Sequence, residues 1–158
     1  MHVQAWREAY RGLMPDAVLN ALDPAKREIT WRETLRQDIP VTLALSGENI
    51  VGFMGCGERR NPALPAEGEI YGLYVLELAQ RHGVGKRLFL RGLELLAAKK
   101  LGSAALWVFE DNSRARQFYE AQGGETCAYR IEARDGWELG RAIQFCRRGL
   151  GVSGGRLT

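Results

Sequence analysis

The spacing of apolar side chains changes period along the chain, and the changes mark its elements. Val3, Trp6, Tyr10 and Leu13 recur near helical spacing, so the chain opens on a helix that ends between Gly12 and Pro15. Asp23 followed by Pro24 joins a side-chain N-cap to a residue whose fixed φ suits the first helical position. This pair predicts a second helix carrying Ile29, Trp31 and Leu35 and stopping before Pro40. From there the pattern is that of strands: 41–46 and 50–57, joined by the polar turn Gly47-Glu48-Asn49. A Pro-containing loop leads to "EIYGLYVLEL", a third strand, and a helix over about 83–100 follows at once. Gly85, Leu88, Phe89, Gly92, Leu93, Leu96 and Ala97 form one stripe on that helix. Lys99 and Lys100 suit its negative end, and Gly102 stops it. "AALWVFE" is an apolar run typical of a strand covered on both faces. A short helix over about 113–122 follows, with Ala115, Phe118 and Tyr119 on one side, and then two strands, near 125–133 and 138–147, flank "ARDGWE".

Two helices, three strands, helix, strand, helix and two strands make an α/β (α+β) domain whose glycine loop joins a strand to a helix. With 158 residues, 46% of them hydrophobic, the chain can build one core. The expected division is a domain over 1–148 and a Gly-rich, mobile tail over 149–158. A net charge of +3, with its cations spread along the chain, is too mild to read as a nucleic-acid binder without a clustered patch, so no nucleic-acid partner is expected. The N-terminus lacks an apolar stretch of signal-peptide length and no run approaches a membrane span, so a soluble, cytoplasmic protein is expected. Cys56, Cys127 and Cys146 have no metal-ligand spacing, which predicts reduced, buried thiols and no metal site.

The candidate chemistry begins at "QRHGVGKRLF", residues 80–89. A helix start offers unpaired N–H groups and the positive end of a dipole. Gly83 and Gly85 let that backbone approach phosphate oxygens, and Arg81, Lys86 and Arg87 add charge. The same glycines would also serve a plain strand-to-helix turn. A dinucleotide fingerprint would need a glycine where Leu88 stands, and a nucleoside-triphosphate loop a hydroxyl where Arg87 stands, so neither fits.

A different pattern does fit. Gln80, Gly83 and Gly85 resemble the Q/R-x-x-G-x-G/A motif of the GCN5-related N-acetyltransferases (GNAT), and "NSRARQFYEAQG" resembles that family's N-x-x-A-x-x-F-Y-x-x-x-G signature at Asn112, Ala115, Phe118, Tyr119 and Gly123. The resemblance covers about residues 3–148 and implies a mixed, mostly antiparallel sheet with a central splayed parallel strand pair and helices on both faces. Two departures stand out: the usual first strand is missing ahead of the first helix, and Gly124 occupies a commonly aromatic position.

The resemblance further implies acetyl-CoA as co-substrate, its pyrophosphate on the amides of Arg81, His82, Gly83, Val84, Gly85 and Lys86, beside Gln80 and Arg87. The pantetheine arm would lie along Leu73, Tyr74 and Val75 as an extra pseudo-strand, with the Val75 amide polarising the thioester carbonyl. Asn112 and Phe118 would border the cofactor, and Tyr119 would be the general acid for the departing thiolate; a core aromatic is its plainer role. Glu69, at the start of the third strand, is the candidate base, with Glu110 or a water as alternatives. The acceptor is an amine of a small molecule or peptide, in a site built from the N-terminal helices and the "EARDGWELG" turn. Trp6, Tyr10 and Trp31 could line it or could be core. A homodimer is compatible with the family. The alternative function is a CoA-binding regulatory module that transfers nothing.

Overall fold

The computed structural model describes residues 1–62, 64–134, 137–148 and 150, with backbone alone for 132–134 and 137–148. Three helices, α1 (His2–Tyr10), α2 (Asp16–Asn20) and α3 (Pro24–Arg36), precede strands β1 (Val41–Ser46), β2 (Asn49–Glu58) and β3 (Gly68–Val75). A single 3-10 turn (Glu77–Ala79) leads to α4 (Val84–Ala98), β4 (Ser103–Phe109), α5 (Ser113–Ala121), β5 (Glu125–Arg134) and β6 (Trp137–Arg148). The sheet order is β1-β2-β3-β4-β6-β5, antiparallel except where β3 meets β4. No further strand covers the β1 edge among the described residues.

Successive residues of a strand point to opposite faces, and Phe53 and Met54 show how both faces are used. Met54 is fully buried with Ile70, Leu88, Phe89, Leu93 and Leu96, so α4 covers one face. Phe53 meets the rings of His2, Trp31 and Tyr74, so α1 and α3 lie over the other. The expected cap of α3 forms, with Asp23 Oδ1 accepting the Ala25 amide at 2.8 Å.

Three sequence expectations are corrected. The five-residue α2, which buries Leu19, is too short to display a period and was absent from the sequence pattern. The third strand ends at Val75 instead of running on through Leu78, because the chain tightens into the 3-10 turn after Leu76 donates to the Val51 carbonyl. Cys56 is free and buried, as expected of a core thiol, but Cys127 is disulfide-bonded. It stands in the exposed outer strand at a register shift, so it is not the buried, reduced thiol that was expected. The side chain of Cys146 lies outside the described residues. So does the tail over 151–158, whereas Leu150 is buried in the core and donates to the Gly102 carbonyl at 3.1 Å.

Candidate functional site

The site originates in a separation of strands. β3 and β4 pair at Gly68↔Ala104 and Glu69↔Ala105, and then diverge. Opposite β2, the register steps from Gly72 to Ile70, leaving Tyr71 as an extra residue in β3, a bulge that bends the strand at this point. Backbone groups of a strand alternate sides. Leu76 donates toward β2, to Val51, so Tyr74 also pairs toward β2, while Leu73 and Val75 turn their N–H and C=O groups toward the gap. Gln80 confirms the direction: its Nε2 reaches in to donate to the Val75 carbonyl at 2.7 Å.

The gap opens into a cleft of about 630 Å³ walled by β3, β4, α1, α5 and the loop before α4. At that loop Arg81 and Gly83 both adopt left-handed backbone, with φ of 62° and 77°. Glycine takes this conformation at little cost, whereas a non-glycine residue held there marks local strain of the kind found at binding loops. The turn starts α4 with its dipole aimed at the cleft. Among the described residues, no amide from 81 to 86 donates to a backbone carbonyl; the first that does is Arg87, to Gly83 at 3.0 Å. Arg81, Lys86 and Arg114 line the cleft, and the Gln80 Oε1 is buried without a hydrogen-bond partner among the described residues. Unpaired amides, clustered cations and a gap-facing strand suit a long, anionic-ended ligand with amide groups along its length.

α5 supplies the opposite wall. Asn112 caps it, Oδ1 accepting the Ala115 amide at 3.1 Å, and Phe118 and Tyr119 pack around Phe89 at ring separations of 6.0 and 5.8 Å. Tyr119 is buried yet borders the cleft. Burial, reinforced by the charge of nearby Tyr74, pushes its phenol well above its ordinary value, so it holds its proton throughout the neutral range.

Of the residues singled out from sequence, the cleft gathers Leu73, Tyr74, Val75, Gln80, Arg81, Gly83, Gly85, Lys86, Asn112, Phe118 and Tyr119. His82, Val84 and Arg87 belong to the same turn but do not line it, and Val84 packs on the core instead. Glu69 and Glu110 stand outside the cleft lining. The Glu69 carboxylate is buried against Arg60, and Glu110 accepts from Arg116 through its backbone carbonyl. Tyr10 lines the cleft, while Trp6 and Trp31 sit in the aromatic cluster over β2 and β3.

Sequence reasoning missed Glu8, Trp107, Arg114 and the side chain of Tyr74 as cleft residues. Arg114 had a signal, a cation two residues after a helix cap; the others depend on which strands part. Among the described residues no group of three metal-ligating side chains forms, and no helix is long and apolar enough to cross a membrane.

The Acetyltransferase (GNAT) family matches residues 3–124. An N-acetyltransferase of Bacillus subtilis, YuaI, is 32% identical over 81% of this chain and 73% of its own. A mycothiol acetyltransferase of Streptomyces scabiei is 41% identical over 51% of this chain and 25% of its own. In structure, the PaiA N-acetyltransferase of Thermoplasma acidophilum, solved in complex with coenzyme A, superposes with a TM-score of 0.68 at 19% identity, covering 92% of this chain and 87% of that one. The splayed sheet, the helix start beneath it and these matches agree: the chain belongs to the GNAT family and is an acyl-CoA-dependent acetyltransferase.

Proposed function

We propose that the chain transfers the acetyl group of acetyl-CoA to a primary amine of a small molecule or peptide by direct attack, without a covalent enzyme intermediate. The observation that carries this reading is the alignment of three features along one cleft. These are the unpaired amides at the α4 start, the gap-facing backbone of Leu73 and Val75, and the protonated phenol of Tyr119. Bound acetyl-CoA would supply an activated acyl carbon and a thiolate leaving group.

The chain's residues then divide the work. The amides of 81–86, with Arg81 and Lys86, bind the pyrophosphate, and the Val75 N–H stabilises the negative charge that develops on the carbonyl oxygen. Tyr119 gives its proton to the departing sulfur. Both oxygens of Glu69 are held by Arg60 just before the bulge; its part in this reaction is to fix the vertex from which the strands diverge.

The test combines isothermal calorimetry with acetyl-CoA and a transfer screen over primary amines. Micromolar binding with acetylation of at least one amine supports the reading; binding without transfer to any amine, or the absence of binding, would remove it.

A further inference from the structure

On the α1 side of the cleft, the hydroxyl of Tyr10 stands 3.0 Å from that of Tyr74, and either can be the donor. Both residues line the cleft, as does Tyr119 on α5. Tyr10 also sets its ring edge-on against Phe109, at the end of β4, with centroids 5.3 Å apart. It therefore touches both diverging strands, β3 through Tyr74 and β4 through Phe109, at the place where they no longer touch each other. Tyr74 follows Leu73 and precedes Val75, whose backbones face the gap, so its phenol stands beside the stretch proposed to hold the thioester. Tyr119 lines the same cleft from the α5 wall, so phenols border it from both walls.

The reaction needs a group on the amine side. An amine that attacks a thioester must shed a proton, and the carboxylates considered for that task, Glu69 and Glu110, do not line the cleft. A phenol oxygen can accept one hydrogen bond while its own O–H donates another, so two linked phenols form a short path for a proton.

We propose that Tyr74 receives the attacking amine and, with Tyr10, carries its proton out of the cleft. This assignment rests on the acetyl-transfer reading above and deepens it. The amine nitrogen donates an N–H to the Tyr74 oxygen, which aims its lone pair at the acyl carbon. The N–C bond forms and the C–S bond breaks with its electron pair on sulfur. Sulfur takes the Tyr119 proton, nitrogen gives one proton to the Tyr74 oxygen, and Tyr74 passes its own hydroxyl proton to Tyr10 and from there to water. Tyr119 regains a proton from water after the products leave, so one proton is released and one taken up. The acceptor is a primary amine that reaches the Tyr74 hydroxyl inside the cleft, which Tyr10 and Trp107 also line.

Tyr74→Phe and Tyr10→Phe keep the rings and remove the hydroxyls. The experiment measures acetyl transfer to glycine amide, alanine amide, spermidine and glucosamine, together with acetyl-CoA binding by calorimetry and melting temperature. Tyr74→Phe should lower kcat/KM for the best of these amines by roughly ten- to a hundred-fold, and Tyr10→Phe by several-fold, with the acetyl-CoA Kd within about twofold of the parent. Should the parent acetylate none of the four, the amine it does acetylate in the wider screen takes their place, and the same ordering is expected. Kinetics unaltered in Tyr74→Phe, or a loss of acetyl-CoA binding matching the loss of rate, would overturn the proposal and leave the pair as a tie between α1 and β3. A parent that binds no acetyl-CoA would instead overturn the reading on which this one stands.

Discussion

Arg60 closes on the Glu69 carboxylate from both sides: its Nη2 meets Oε1 at 2.5 Å, and its Nε and backbone amide meet Oε2 at 3.2 and 3.0 Å. Glu69 is buried, whereas the Arg60 side chain is 62% exposed and lies over the Tyr71 ring at 4.5 Å. The hydrogen bond to Glu69 holds the guanidinium even more firmly protonated than usual. A buried carboxylate is stable here because a solvated cation reaches in to it, one residue from where β3 and β4 begin to part.

Glu69→Gln keeps the shape and removes the charge. It should lower stability by about 1–3 kcal/mol, the cost of weakening a charge-assisted bond around a buried group, with kcat reduced only a few-fold. Chemical denaturation and steady-state kinetics on one preparation check this. A hundredfold fall in kcat at unchanged stability would make Glu69 the base.

Tyr119→Phe should lower kcat by about a hundredfold while acetyl-CoA affinity is kept. It should also change the alkaline limb of stability. Because burial raises the phenol above its ordinary value of 10.0, the folded and unfolded chains both hold the proton below that pH and the full contribution is present. Above it the unfolded chain ionises first and binds fewer protons, so stability falls as pH rises. Melting temperatures between pH 8 and about 11 should fall less steeply in Tyr119→Phe than in the parent. Equal slopes would show that the phenol is not held protonated by the fold.

Gly85 has room for a Cβ, which would meet the Phe118 ring at 3.7 Å. A longer acidic side chain there must enter the cleft beside the amides of 81–86. Gly85→Glu should abolish acetyl-CoA binding by calorimetry, and unchanged affinity would refute the loop assignment. Gly83→Ala acts differently: nothing lies within 4 Å of the added carbon, but φ is +77°. The expected cost is about 1 kcal/mol of stability, arising from backbone conformation and not from crowding.

Cys56 is held in its thiol form, chiefly by burial, against the opposing influence of Lys99 and Arg91. It should stay unmodified by an aromatic disulfide reagent at neutral pH in the native protein and react only on unfolding. Rapid labelling without loss of structure would show that β2 opens locally.

Much of the architecture was legible in the sequence because it depends on neighbours along the chain. The period of Leu88, Phe89, Gly92, Leu93 and Leu96 marks α4, the Asp23-Pro24 pair marks the start of α3, and Asn112 marks the start of α5; the structure shows each cap or stripe where its residues stand. The glycines of the loop before α4 were readable for the same reason, since a left-handed turn at a helix start is a local demand on backbone. What only the tertiary structure decided depends on residues far apart in sequence. Glu69 meets Arg60 across a loop, Tyr74 meets Tyr10 sixty-four positions away, and Tyr119 borders a cleft that exists because two parallel strands pair for two residues and then part. Local propensity carries no information on which carboxylate is gripped or which phenols face one another, because those are settled by the register of β3 between β2 and β4 and by the helix laid over their gap.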